Sequence, residues 1–136
     1  MDAETRVPIL RDVDVVTARQ SGRALGASLG FGAADLTLIA TAISELARNI
    51  VDYAGRGEIV LAIAEERGRR VLVVVARDDG PGIPDVGLAL QDGWSSGRGL
   101  GLGLPGARRM VDEFEIDTAP GRGTTVTLKK WLPEGR

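Results

Sequence analysis

Glu45 and Asn49 stand four residues apart in an apolar-periodic stretch, so on a helix their side chains project side by side. An amide oxygen can ligate Mg²⁺, and a carboxylate beside it can polarise a water or a hydroxyl. Asn is a poor helix former, which points to a purpose other than helix stability. Downstream, Asp78-Asp79-Gly80-Pro81-Gly82-Ile83 follows directly on a strand-like run. An acid at the end of a buried strand can accept a hydrogen bond from an exocyclic amine at the bottom of a pocket. Gly80 and Gly82 would then leave room for a planar base. The run Gly97-Arg98-Gly99-Leu100-Gly101-Leu102-Gly103 alternates glycine with other residues ahead of a helical stretch. Glycines this dense let backbone N–H groups approach a ligand, usually a phosphate, and a helix N-terminus adds its dipole. Singly, these features read as a solvated helix face, a turn and a flexible loop. Together, and in this order, they point to a nucleotide site.

The chain has 136 residues and is expected to form one domain (1–136), with a core of ordinary size. Apolar residues make up 43% and charged residues 26%, as in ordinary globular proteins. A net charge of −2 gives no electrostatic reason to expect nucleic acid or an anionic membrane as partner. No apolar run reaches the ~20 residues of a membrane span. The start, Met1-Asp2-Ala3-Glu4-Thr5-Arg6, lacks a signal-peptide profile, so the cytoplasm is expected. There is no cysteine and no histidine. Disulfides, thiolate chemistry, Ser-His-Asp catalysis, His-ligated metals and a phosphohistidine on this chain are therefore excluded. A general base must be a carboxylate, and a metal must take oxygen ligands, as Mg²⁺ does.

The elements that would position these residues can be read from periodicity. Val7-Pro8-Ile9-Leu10 suggests an edge strand, and Asp14 is placed to cap a helix running to about residue 29, with Val15, Ala18, Leu25 and Leu29 inward. Gly30-Phe31-Gly32 breaks it. A second helix spans about residues 34 to 53, its buried face set by Leu36, Ile39, Ile43, Leu46 and Ile50. Thr41, Glu45, Arg48, Asn49 and Asp52 share another face. Residues 58–64 and 71–76 read as strands around a polar turn at 65–70, the second apolar enough for the middle of a sheet. A loop over 81–99, with at most a short helix near 86–90, precedes a helix at about 102–111. Strands at 114–118 and 124–131 follow, joined by Pro120-Gly121-Arg122-Gly123. This order predicts an α+β two-layer sandwich, a mostly antiparallel sheet with helices on one face.

Glu45-Leu46-Ala47-Arg48-Asn49 resembles the N box of the GHKL ATPase superfamily, with its Bergerat ATP-binding fold. Asp78-Asp79-Gly80-Pro81-Gly82 resembles its G1 box, Gly97-Arg98-Gly99-Leu100-Gly101-Leu102 its G2 box, and Gly123-Thr124 its threonine motif. The likeness covers about residues 35 to 128, and neither a P-loop nor a protein-kinase signature is present. Full histidine kinases of the superfamily carry a phosphoacceptor histidine on a separate helix, which this chain lacks. The segments 101–114 and Val16-Thr17-Ala18-Arg19-Gln20 resemble the RsbT-type switch kinases of bacterial stressosomes, which phosphorylate Ser or Thr on STAS-domain scaffold proteins.

That resemblance implies an ATP- and Mg²⁺-dependent protein serine/threonine kinase. Glu45 would be the catalytic base and Asn49 the Mg²⁺ ligand. Asp78 would bind the adenine amine, with Thr124 at the same end of the nucleotide. Gly80, Gly82, Gly97, Gly99 and Gly101, with Arg98, Leu100 and Leu102, would shape the pocket and phosphate loop. Arg48 and Arg98 could also reach phosphate, although surface pairing accounts for such arginines more often. Trp94 falls in the expected lid, about 84–96, and Trp131 in core or edge. Partners would be STAS-domain scaffold or antagonist proteins and a downstream phosphatase or other output protein. The rival is an anti-sigma factor, a binding module that uses nucleotide to choose partners. An inactive pseudo-kinase is a third reading, against which the intact Glu45 argues.

Overall fold

A computed structural model describes residues 4–81 and 103–133. Among the described residues, five strands form one antiparallel sheet in the order β1-β2-β3-β5-β4. They are β1 (Glu4–Ile9), β2 (Gly57–Glu66), β3 (Arg69–Asp78), β4 (Glu113–Thr118) and β5 (Thr124–Trp131). Helices α1 (Asp12–Leu29), α2 (Ala33–Asn49) and α3 (Gly103–Arg109) complete the α+β layers.

Arg11, rather than Asp14, holds the N-cap position of α1. Asp14 acts from the first turn, where its Oδ2 accepts the Leu10 and Arg11 N–H groups at 2.8 and 3.2 Å. An acid at this third helical position accepts from the N-cap backbone N–H, the reciprocal half of a capping box, whereas a cap's own side chain serves N–H groups inside the first turn. Gly30 ends the helix at φ 107°, its N–H and that of Phe31 bonding the Ala27 and Gly26 carbonyls at 3.1 and 3.2 Å. This paired C-terminal closure needs the left-handed backbone that glycine supplies.

The two long helices approach through small residues. Ala18, Gly22 and Gly26 are buried along α1, and a Cβ at Gly22 would overlap the Ile43 side chain. The stripe Ile39, Ile43 and Leu46 of α2 then lies over the sheet. It meets the rows Val7–Ile59–Ala76–Val126–Ile116 and Thr5–Leu61–Val74–Leu128–Phe114, each read straight across the ladder. Leu104 and Ala107 of α3 join the same core. β3 is central, as its run of apolar residues predicted.

The β2–β3 turn is tighter than the polar stretch suggested. Both strands run on until only Arg67 and Gly68 remain between them, at φ 55° and 76°. Positive φ at both central residues is the hairpin turn whose twist matches its strands. The α2 segment also departs from expectation. Its α-helical part stops at Asn49, and residues Ile50–Ala54 form a π-helical turn closed by the Gly55 N–H on the Ile50 carbonyl at 2.8 Å. The expected short helix near 86–90 and the lid with Trp94 lie outside the described residues.

Candidate functional site

Asp78 is the last residue of β3, on the row Gly57–Asp78–Thr124–Thr118 that faces the helices. This row lies one step beyond the apolar rows, so the inner face of the sheet turns there from apolar to polar. Asp78 is half-buried. Its Oδ1 accepts the Gly80 N–H at 2.9 Å, folding the start of the glycine segment back over the carboxylate. Burial holds the Asp78 carboxyl above its ordinary value, with Asp79 adding to the rise. The Gly80 and Thr124 N–H groups oppose it.

The end of α2 is brought to this aspartate by glycines. Ile50, directly after Asn49, packs on Gly57, where a Cβ would stand 3.0 Å from Ile50 Cγ2 and 3.1 Å from Asp78 Cβ. A Cβ at Gly80 would meet Ala54 Cβ at 2.7 Å. The π-helical turn thus lies against Gly57, the cross-strand partner of Asp78, and against Gly80, two residues beyond it. Such turns recur at functional sites. Opposite, Gly123 is at φ 79°, and a Cβ there would run into the Asp78 carbonyl oxygen. The Gly121 N–H bonds the Pro81 carbonyl at 2.6 Å, so the β4–β5 turn clasps the start of the glycine segment.

Glu45 and Asn49 lie on α2 one turn apart and are half-buried. Burial raises the Glu45 carboxyl above its ordinary value, and the nearby Arg48 guanidinium opposes the rise. Arg48 is committed to an ion pair with Asp12 at 2.9 Å. Trp131 is half-buried at the far end of β5, stacked by Arg69 and bonded through Nε1 to Glu113 Oε2 at 2.8 Å. Gly82, Gly97, Arg98, Gly99, Leu100, Gly101 and Leu102 lie outside the described residues. Sequence reasoning missed Ala54, Gly57 and Thr118. A signal for Thr118 existed: the threonines at 118 and 124 flank a hairpin turn and so face each other.

The donor set suits a magnesium nucleotide. Asp78 offers a half-buried acceptor and Asn49 a hard amide oxygen, and at Gly80 and Gly123 the backbone lies where a Cβ would not fit.

An antiparallel sheet covered on one face by helices, with an acid–amide pair at the end of α2 and an aspartate at the end of the central strand, is the arrangement of an α+β nucleotide-binding domain. The model of the histidine kinase-, DNA gyrase B- and HSP90-like ATPases matches residues 34–135, and the chain belongs to that family. Membership implies ATP as the nucleotide. Within the family, the chain is 47% identical to the serine/threonine-protein kinase RsbT of Bacillus subtilis over 132 residues, 97% of this chain and 99% of that protein. It is 29% identical to an anti-sigma F factor of Bacillus licheniformis over 109 residues, 75% of this chain and 73% of that one. Among solved structures, the RsbU and RsbW domains of a Mycobacterium tuberculosis protein align at a TM-score of 0.63 and 26% identity, over 98% of this chain. This chain spans 33% of that longer one. The mycobacterial sensor histidine kinase MprB shares the fold, at a TM-score of 0.58 and 17% identity over 95% of this chain and 97% of that one.

Proposed function

We propose that the chain is an ATP- and Mg²⁺-dependent protein serine/threonine kinase of a bacterial partner-switching system, acting in the cytoplasm on STAS-domain proteins. The observation that carries this is the convergence of the α2 terminus on Asp78 through Ile50 against Gly57 and Ala54 against Gly80. A likeness to RsbT over nearly the whole length of both chains supports the kinase assignment. The whole chain is taken as one ATP-binding domain.

Each residue then has a task. Asp78 accepts the N–H of the base amine, with Thr124 beside it. Asn49 offers its amide oxygen to Mg²⁺. Among the described residues no group of three or more acidic ligands gathers, so phosphate and water oxygens would complete the shell. The ion would neutralise phosphate charge. Glu45 takes the proton of the acceptor hydroxyl as that oxygen bonds to the γ-phosphorus and ADP departs with the electron pair of the broken P–O bond. Such transfer is mostly positioning and charge neutralisation, so the partner's hydroxyl must be docked within ~3–3.5 Å of the phosphorus. Gly82, Gly97, Gly99 and Gly101, with Arg98, Leu100 and Leu102, are assigned to pocket and phosphate loop on resemblance alone.

A second reading, a sigma-binding module, rests on the anti-sigma F factors, which are more distant in identity and coverage than RsbT. Incubation with labelled ATP, alone and with a STAS protein, separates the cases. Acid-stable label on the partner supports the kinase. Acid-labile label on this chain, or no transfer alongside capture of a sigma factor, overturns it.

A further inference from the structure

Thr118 and Thr124 face each other across the β4–β5 ladder, on the same row as Asp78. Their hydroxyl oxygens are 2.9 Å apart, and Thr118 Oγ1 lies 3.0 Å from the Gly123 carbonyl oxygen. A threonine hydroxyl has one proton, and a carbonyl oxygen only accepts. If Thr118 gave its proton to Thr124, its lone pairs would face the Gly123 carbonyl with no hydrogen between them. Both contacts are attractive only when Thr118 donates to Gly123 and Thr124 donates to Thr118. The Thr124 hydroxyl then has only lone pairs to offer a ligand.

Directly opposite Thr124, the ionised Asp78 carboxylate is also acceptor-only, and the Thr124 backbone N–H is already engaged with it. Gly123, buried against the Asp78 backbone, fixes the carbonyl that receives the Thr118 proton.

We propose that Thr118 is a positioning residue that turns the Thr124 hydroxyl into an acceptor, so that this end of the pocket selects a 6-amino purine over a 6-oxo purine. The proposal rests on the reading of Asp78 as the base anchor. A 6-amino group offers two N–H bonds, one for Asp78 and one for Thr124, directly or through a water. A 6-oxo group instead brings an acceptor against two acceptors. A site built to receive a donor rejects the analogue that lacks it, because its own polar groups are left unpaired. Without Thr118 the Thr124 proton is free to rotate towards the ligand, and the rejection weakens.

The test is calorimetry with ADP and with inosine diphosphate on the wild-type chain, Thr118→Val and Thr118→Ser, with thermal melts alongside. Wild type should favour ADP by about tenfold or more, the worth of one good hydrogen bond. Thr118→Val should cut that preference by about fivefold to tenfold, chiefly by gaining inosine diphosphate, and Thr118→Ser should restore it. A folded Thr118→Val that keeps the wild-type preference, or loses both nucleotides equally, overturns the proposal. Should Thr118→Val fail to fold, Thr124→Val decides, since an undiminished preference without any hydroxyl at 124 also overturns it. Wild type that binds no ADP defeats the nucleotide reading itself. ADP binding that is lost in Asp78→Asn while Thr118→Val leaves the preference unmoved keeps that reading and defeats only this inference.

Discussion

Arg48 pairs with Asp12 at 2.9 Å, tying the last turn of α2 to the first turn of α1. Both partners are substantially exposed, so the pair adds little to stability. Its cation matters more for Glu45, one turn away, where it opposes the rise that burial imposes.

The pH dependence follows from that opposition. A base works as the carboxylate, so phosphotransfer should rise with pH through a midpoint above the ordinary value of 4.5. Arg48→Gln removes the opposing charge and should move this acid limb further up, with nucleotide affinity little changed. For stability, a raised carboxyl contributes below its ordinary value and loses that contribution as pH climbs through its folded value. Glu45→Gln should therefore melt no lower than wild type at neutral pH. A pH–rate profile of Arg48→Gln with an unmoved or lowered limb would contradict the electrostatic account.

Asp78→Asn should separate binding from folding. The Asn oxygen can still accept the Gly80 N–H, and the substitution removes a charge that burial penalises. The melting temperature should hold or rise, while ADP affinity falls ten- to hundredfold, on the order of 1.5–3 kcal/mol for a hydrogen bond to a charged group. Calorimetry beside a thermal melt checks both halves, and undiminished ADP binding removes Asp78 from the site.

Gly121 and Gly123 share a φ of 79° but not a neighbourhood. Nothing lies within 4 Å of a Cβ at Gly121, whereas one at Gly123 would overlap the Asp78 carbonyl. Gly121→Ala should cost only the left-handed backbone strain, about 1–2 kcal/mol. Gly123→Ala should cost more and also weaken ADP binding by displacing Asp78. Urea denaturation of the two variants should rank them in that order, and equal costs would show that the contact does not constrain the pocket.

The core was legible because burial writes itself as periodicity. Their spacing turns Ile39, Ile43 and Leu46 inward, and they are buried. Asp78 stood out as an acid at the end of an apolar strand. What escaped depends on register and close approach, which spacing does not encode. Gly22 and Gly26 are the meeting points of two helices, yet in sequence they look like helix weaknesses. Gly57 matters because Ile50 and Asp78 lie against it, and Thr118 because Thr124 is its partner across the ladder. The π-helical turn after Asn49 leaves no mark that an apolar period would reveal. Asp14 departs from the cap position that spacing suggests, since an acid near a helix start suits either the cap or the first turn and only the backbone shows which N–H groups it accepts.

In the proposed function, α2 carries the base and the metal ligand as separate functions one turn apart. That separation is tested most directly by single-turnover transfer from labelled ATP to a STAS partner, with ADP–Mg²⁺ affinity measured on the same preparations. Glu45→Ala should bind nucleotide nearly as wild type does and transfer about 10²–10⁴ times more slowly, the usual loss for a general base. Asn49→Ala should weaken Mg²⁺-dependent binding itself. Transfer by Glu45→Ala at close to the wild-type rate would contradict the account.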